Sequence, residues 1–150
     1  MSGIGFDFKG KNVIITGAER GIGLAIAKGF AKCGANIIVA GIMDDEFDNA
    51  KKLIEAENVE CLCVHTDVSD EASVKNAVQT AVDEFSRIDI LVNNAGINKL
   101  APAEEMPLDV WQKIINVNFT GTFLMCREVG NVMLRQGKGN IVNIASMSGN

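Results

Sequence analysis

The chain has 150 residues, of which 47% are hydrophobic and 22% are charged, the balance of an ordinary globular domain. This length is enough for one domain with a proper core and too short for two. A net charge of -5 at pH 7 excludes the basic surface by which nucleic acids and anionic membranes are bound. The first residues lack the basic and apolar segments of a secretion signal, so we expect a cytoplasmic protein without nucleic acid or membrane partners.

The four cysteines and the single histidine do not form a metal-binding pattern. Cys61 and Cys63 alternate on a predicted strand and therefore share one face of it. Cys33 and Cys126 lie in helical patterns. We interpret all four as small apolar thiols of the interior, and we expect no metal site.

Apolar runs alternate with amphipathic stretches along the whole chain. The apolar runs predict five strands, at residues 13–16, 37–40, 60–65, 88–92 and 140–145. The stretches between them predict helices at residues 21–33, 44–57, 70–85 and 107–135. Gly34 would end the first helix, Asp70 and Glu71 would complement the dipole of the third, and Pro107 suits the first position of the last. The alternation predicts an α/β fold with a doubly wound parallel sheet, present through its fifth strand.

A glycine-rich turn follows the first predicted strand, with the sequence TGAERGIG at residues 16–23. A strand, a glycine turn and a helix in this order present backbone N–H groups and a helix N-terminus to a diphosphate. Gly17 allows a sharp turn, whereas Gly21 and Gly23 remove Cβ atoms that would collide with the pyrophosphate or the neighbouring strand. Ile22 is a candidate cofactor contact, with burial in the core as the alternative.

Further motifs follow in order along the chain. They are Asp67-Val68 after the third strand, NNAG at residues 93–96 after the fourth, NVN at residues 116–118 in the last helix, and IVNIAS at residues 141–146. With these motifs the chain resembles the classical short-chain dehydrogenase/reductase family over essentially its whole length. The resemblance implies a Rossmann-type fold and an NAD(P)-dependent oxidoreductase that transfers a hydride between nicotinamide and an alcohol or carbonyl substrate. It also implies a homo-oligomer, either a dimer or a tetramer.

The resemblance assigns a role to each motif. Asp67 would accept a hydrogen bond from the adenine amino group while Val68 packs on the ring, although Asp67 could instead cap its own loop. Asn93 would tie adjacent strand ends together. The cofactor would be held by Gly17, Arg20, Gly21, Ile22, Gly23, Asp67, Val68, Asn94, Ala95 and Gly96.

Two residues carry the catalytic part of the resemblance. Ser146 would orient the substrate oxygen, with Ser148 as the competing candidate two residues later. Asn118 would hold a water molecule of the proton relay, and Asn116 would be a solvent-facing or capping residue. An asparagine inside a helix bends or opens it unless its amide finds partners.

The chain contains no tyrosine, yet the resembled family does its proton chemistry with a Tyr-x-x-x-Lys pair. A nearby lysine and the nicotinamide charge lower the tyrosine pKa from its usual value near 10. The sequence ends at Asn150, four residues after Ser146. We therefore expect the chain to be the N-terminal portion of a longer one-domain enzyme. The alternative is a cofactor-binding fragment or regulatory module without turnover.

The choice between NAD and NADP depends on the residue after the second strand, where an acid favours NAD and a base favours NADP. Gly41 and Ile42 at this point are neither, and Asp44 comes late enough to cap the next helix instead, as does Asp45. Arg20 tilts the prediction to NADP. The segment at residues 145–149 is similar to sugar and polyol dehydrogenases, so the predicted substrate is a sugar, a polyol or a sugar acid.

The last predicted helix leaves one question of orientation open. Phe119, Phe123 and Met133 could form an outward apolar stripe for a partner subunit or could belong to the core.

Overall fold

The computed structural model describes residues 5–146, and it shows a five-stranded parallel sheet with helices on both faces. The strands are β1 Asn12–Thr16, β2 Asn36–Gly41, β3 Cys61–His65, β4 Ile90–Asn93 and β5 Asn140–Asn143. The helices are α1 Gly21–Lys32, α2 Asp44–Glu55, α3 Glu71–Phe85, α4 Leu108–Ile115 and α5 Gly121–Gln136. A π-helical turn, Asn116–Thr120, joins α4 to α5, and a short 3-10 turn, Ala103–Glu105, precedes α4. The predicted doubly wound α/β fold is confirmed.

The inner strands are buried because helices cover both faces of the sheet: β1 and β4 along their whole length, and β2 from Ile37 onward. Successive side chains of a strand point to opposite faces, so β1 contributes to two separate cores. Ile14 packs in the core beneath α3 and α5, whereas Ile15 packs in the core beneath α1. Both cores are built mainly of β-branched and small side chains, which suit a pleated, fully covered sheet.

In the strand order β3-β2-β1-β4-β5, the direction in which successive strands are added to the sheet reverses between β1 and β4. The chain first moves outward through β2 and β3 and then crosses to the other side of β1. The loops that follow β1 and β4 therefore diverge at the carboxyl edge of the sheet. In open α/β sheets this divergence creates the crevice in which ligands bind.

Two strand boundaries differ from the prediction for a physical reason. β4 begins at Ile90 and not at Ile88, because the Gln136 side chain takes both backbone groups of Ile88. The Ile88 N–H donates to Gln136 Oε1 over 3.0 Å, and Gln136 Nε2 donates to the Ile88 carbonyl over 2.8 Å. β5 ends at Asn143, two residues before the predicted end.

The single helix predicted from residue 107 is wrong in two respects. Pro107 has an extended backbone, with ψ of 138°, so the helix begins at Leu108. The π-helical turn then interrupts the α-helix at Asn118, which was predicted to lie inside a continuous helix. Such turns occur mostly as single insertions within α-helices, often at functional sites.

The long helix and β5 carry exposed apolar side chains. Phe119 and Phe123 are 75% and 55% exposed, whereas Met133 is buried, so the three residues divide between the two predicted environments. Every residue of β5 is exposed. Within residues 5–146 no helix combines the length and apolar character of a membrane span. All four cysteines are free thiols, and only Cys61 is fully buried.

Candidate functional site

The glycine turn after β1 depends on two different properties of glycine. Gly17 and Gly21 have φ of +66° and +57°, in the left-handed region that favours glycine. A Cβ atom at Gly23 would lie 2.1 Å from the Gly17 carbonyl oxygen and 2.6 Å from Asn94 Nδ2. Gly23 therefore permits the contact of the turn with itself and with the loop after β4, while the space around Gly21 is open.

The N-terminus of α1 points into the same crevice with its backbone donors uncapped. The residue before the helix, Arg20, is exposed and makes no side-chain capping bond, and the first turn contains no acidic residue. Helix N-terminal N–H groups without a cap attract an anion, and the helix dipole adds to the attraction. Ile22 is 70% exposed, so the alternative of burial in the core is wrong, and its role as a cofactor contact stays a prediction.

Glu19 is a functional candidate that sequence reasoning missed. Glu19 is only 5% exposed. Within the described part of the chain its Oε2 atom has no hydrogen-bond partner. The carboxylate lies against Gly41 at the end of β2, where a Cβ atom would be 2.1 Å from Oε2. The available signal was the glycine at residue 41, which leaves space for a neighbouring side chain.

Thr16 and Asn94 join the loops after β1 and β4. Thr16 Oγ1 accepts hydrogen bonds from the backbone N–H groups of Asn94 and Ala95, over 3.0 and 2.9 Å. Asn94 Nδ2 donates to the carbonyl oxygens of Thr16 and Gly17, over 3.0 and 3.2 Å. These four bonds hold the NNAG segment beside the glycine turn. Thr16 was not predicted to take part, although a threonine at the end of an apolar run is a usable signal.

Asn93 connects β4 to β5, as predicted for a structural residue. Its Nδ2 atom donates to Asn143 Oδ1 over 2.9 Å and to Cys126 Sγ over 3.2 Å. The Ile144 N–H donates to the Asn93 carbonyl over 2.9 Å, which continues the alignment beyond the strand. Ser146 follows at the same carboxyl edge and is exposed.

The segment after β3 brings one exposed carboxylate and one buried side chain to the site. Asp67 Oδ1 accepts hydrogen bonds from the Ser69 backbone N–H over 2.9 Å and from the Ser69 hydroxyl over 2.6 Å. Asp67 therefore caps its own loop, which was the alternative role. Val68 is buried in the core, and its side chain leaves no space for a Cβ atom at Gly121, the first residue of α5.

Asn118 joins the π-helical turn to the loop after β4. The Ile97 N–H donates to Asn118 Oδ1 over 2.8 Å, and Asn118 Nδ2 donates to the Ile97 carbonyl over 2.9 Å. The Asn118 carbonyl accepts a hydrogen bond from the Thr122 hydroxyl over 2.9 Å. A Cβ atom at Gly96 would lie 3.4 Å from Asn118 Oδ1, in ordinary van der Waals contact with this amide. Asn116 instead bonds only the neighbouring Gln112 side chain among the described contacts.

At the outer end of the site, a side chain of β3 contacts a side chain of α2. His65 Nδ1 lies 2.8 Å from Asp44 Oδ1, and both side chains are more than half exposed. Asp44 and Asp45 lie in the first turn of α2, after the capping residue Met43. They therefore complement the helix dipole and do not cap the helix.

Comparison with known proteins gives a consistent result. A family model described as short chain dehydrogenase matches residues 11–150. D-threitol dehydrogenase of Mycolicibacterium smegmatis is 42% identical over 147 residues, which are 97% of this chain and 56% of that protein. Gluconate 5-dehydrogenase of Gluconobacter oxydans is 37% identical over 142 residues, which are 95% of this chain and 56% of that protein.

The fold is also shared with a solved structure of an NAD+-bound xylitol dehydrogenase. The TM-score is 0.92 at 35% sequence identity, and the match covers 95% of this chain and 55% of the other. This chain spans about half the length of the curated relatives that it matches. Because the family match begins at residue 11, before β1, and continues to residue 150, the chain belongs to the short-chain dehydrogenase family.

Proposed function

We propose that this chain forms the cofactor site of an NAD(P)-dependent oxidoreductase that acts on a sugar, a polyol or a sugar acid. The observation that carries the proposal is the uncapped N-terminus of α1 beside the glycine turn, at the point where the strand order reverses. When bound, the nicotinamide group exchanges a hydride with the substrate carbon. The similarity to dehydrogenases favours an enzyme over a binding module without turnover.

The residues at the carboxyl edge fit a dinucleotide. The N–H groups at the start of α1 would bind the diphosphate, and Ile22 would contact the cofactor with its exposed side chain. Asp67 would accept a hydrogen bond from the adenine amino group with the oxygen that does not bond Ser69. Val68 would support the adenine pocket from within the core. Residues 94–96, held by Thr16 and Asn118, would line the ribose of the nicotinamide half.

Asn118 and Ser146 would act on the proton and on the substrate oxygen. Both polar atoms of the Asn118 side chain bond the backbone of Ile97, and we propose that the backbone carbonyl of Asn118 holds the relay water. A carbonyl oxygen has two lone pairs, and the Thr122 hydroxyl uses one of them. Ser146 would donate a hydrogen bond to the substrate oxygen and fix the distance to the transferred hydride.

The relatives favour a hydroxylated small molecule as the substrate. Their names assign D-threitol, gluconate and xylitol to three of them, and these are polyols or a sugar acid. We also propose a homo-oligomer, in which Phe119 and Phe123 of the long helix contact a partner subunit. The cytoplasmic location stays a prediction from composition.

The experiment that tests the function compares Ser146→Ala with the wild type in the full-length protein. We expect turnover of a polyol or ketose to fall by about 100-fold, the usual effect of losing one hydrogen-bond donor to a reacting oxygen. The dissociation constant for the cofactor should remain unchanged, because Ser146 is placed against the substrate. Ser148→Ala is the matched control; residue 148 lies outside the described residues. Full activity in Ser146→Ala would contradict the assignment.

A further inference from the structure

We propose that Glu19 selects NAD(H) over NADP(H) by offering its carboxylate to the ribose hydroxyls of the adenosine half. The inference rests on the proposed cofactor site and names the residue that determines which cofactor is accepted there. It reverses the preference for NADP(H) that Arg20 suggested. The sequence pattern did not reveal it, because it depends on the contact between Glu19 and Gly41, which are far apart in the sequence.

The first observation is that the Glu19 carboxylate is buried without a partner. The residue is 5% exposed, and within residues 5–146 its Oε2 atom has no hydrogen-bond partner. Buried carboxylates are almost always paired or hydrogen-bonded, because an uncompensated charge in the interior is costly. An unsatisfied acceptor beside the glycine turn is therefore explained best by a ligand that supplies the missing donor.

The second observation is the position of the carboxylate at the end of β2. A Cβ atom at Gly41 would lie 2.1 Å from Oε2 and 2.4 Å from the carboxyl carbon of Glu19. The carboxylate thus occupies the space that a side chain of residue 41 would fill. In dinucleotide-binding folds an acid about 20 residues after the glycine turn bonds the ribose 2′-hydroxyl from that position. Here Glu19 brings the acid to the same place from the turn itself.

The charges around Glu19 support selection against a 2′-phosphate. A phosphate on the ribose would lie next to a buried carboxylate, where repulsion is only weakly screened. Arg20 is the nearby basic residue that favours a phosphate, but it is exposed, and solvent and salt weaken its attraction. Asp44 and Asp45, in the first turn of α2, add negative charge to the same side of the sheet. The pairing of Asp44 with His65 over 2.8 Å neutralises part of that charge only when the imidazole is protonated.

The test measures the dissociation constants of NADH and NADPH by titration calorimetry with the purified full-length protein, without substrate. We expect the wild type to bind NADH more tightly. In Glu19→Gln, which keeps the shape and removes the charge, the ratio of the two dissociation constants should move toward NADPH by about 10-fold or more, a change of roughly 1.4 kcal/mol. Asp48→Asn is the matched control, because it removes an exposed acid of α2 that has no part in the proposed selection, and its ratio should stay within about 2-fold of the wild type.

A second pair of variants separates the position of the carboxylate from the identity of residue 19. Glu19→Ala should lose the preference, and the double variant Glu19→Ala with Gly41→Asp should restore it, because the new aspartate fills the vacated space. Circular dichroism of each variant checks that the protein is folded. These binding measurements need no turnover, so they also report on variants with low activity.

Two results would overturn the inference while leaving the cofactor site intact. One is a wild type that binds NADPH at least as tightly as NADH. The other is an unchanged ratio in both Glu19→Gln and Glu19→Ala. If the wild type binds neither nucleotide, the proposed function itself fails, and the inference about Glu19 fails with it.

Discussion

At the scale of single residues, the glycines of the turn are required for different physical reasons. Gly21 adopts a left-handed backbone in open space, so its constraint is conformational. Gly23 has an ordinary helical backbone, but a Cβ atom there would overlap the Gly17 carbonyl oxygen at 2.1 Å. The overlap is with backbone, which cannot move aside as a flexible side chain does. Gly23 is therefore the position at which one methyl group should change both folding and binding.

We expect Gly23→Ala to lower the free energy of unfolding by about 1–3 kcal/mol, the usual cost of overpacking. The same shift of the turn should weaken NADH binding, because the N–H groups of α1 would move away from the diphosphate. Urea unfolding and NADH titration measure the two effects.

Gly29→Ala on the same helix is the matched control for this prediction. A Cβ atom at Gly29 meets nothing within 4 Å, so the methyl group should add up to about 1 kcal/mol of stability through helix propensity. NADH binding should remain unchanged. If Gly23→Ala were as stable and bound as tightly as Gly29→Ala, the turn would not need the close approach that we describe.

At the scale of elements, the long helix is opened at the residue that also connects it to a loop. Asn118 forms two hydrogen bonds with the backbone of Ile97, and the π-helical turn spans the same position. An interior asparagine was expected to open the helix unless its amide found partners. The Asn118 amide has partners, and the helix is nevertheless widened at this residue. We therefore interpret the π-helical turn as the feature that places the Asn118 side chain against the loop, and not as the result of an unsatisfied amide.

We expect Asn118→Ala to release the loop that begins at Ile97. Loss of two side-chain bonds to backbone should cost about 1–2 kcal/mol and should speed amide exchange at Ile97, which donates one of them. Hydrogen exchange read by mass spectrometry measures this effect without any substrate, and turnover of the full-length protein should fall as well.

Asn116→Ala is the control, because Asn116 bonds the side chain of Gln112 on the same helix and makes no described contact with the loop. Its exchange at Ile97 should match the wild type. Equal protection of Ile97 in both variants would show that Asn118 does not hold the loop.

At the scale of the whole molecule, two buried acids serve opposite purposes. Among the described residues Glu19 Oε2 has no hydrogen-bond partner, whereas Asp89, just before β4, contacts Lys11, Asn12 and Arg87. Asp89 Oδ2 accepts from the Asn12 backbone N–H over 3.1 Å, and Oδ1 lies 2.5 Å from Arg87 Nη2. Lys11 Nζ is 3.6 Å from the same oxygen. Asp89 therefore aligns β1 with β4 at the end of the sheet opposite the site.

The environment of Asp89 makes the free energy of unfolding depend on pH in the acid range. Burial by itself would raise the pKa of the Asp89 carboxyl, but the Asn12 N–H and the Arg87 guanidinium outweigh it and hold the pKa below its ordinary value of 3.8. A lowered folded-state pKa means that the carboxylate contributes stability above about pH 3.8, the unfolded value. That contribution is lost as the pH falls through the lower folded-state pKa.

We expect Asp89→Asn to lower the free energy of unfolding at pH 7 by about 1–3 kcal/mol. The gap between wild type and variant should shrink as the pH is taken from 5 to 2, because the wild-type carboxylate becomes protonated. Urea unfolding across this range measures the gap. Asp48→Asn, an exposed acid on α2, should show no comparable loss at pH 7. A gap that stayed constant with pH would contradict the role given to Asp89.

The sequence alone predicts most of the secondary structure and the edge of the sheet at which the candidate site lies. Strands, helices and the glycine turn depend on local patterns, and alternating elements with buried strands admit few topologies other than a doubly wound parallel sheet. That topology also implies a crevice at the carboxyl edge between β1 and β4. The errors at this level are shifts of one or two residues at the ends of elements, as at Ile88 and Pro107, and the π-helical turn at 116–120 that divides the last predicted helix.

The contacts of the individual side chains follow only from the tertiary structure. Glu19 meets Gly41 because β1 and β2 are neighbours, and Asn118 meets Ile97 because the π-helical turn lies against the loop after β4. Val68 meets Gly121 because α5 begins against the segment after β3. The same reason explains why Ile22 is exposed although its helical spacing suits a core. Such contacts depend on how the crossovers bring distant segments to one edge, and no local periodicity carries that information.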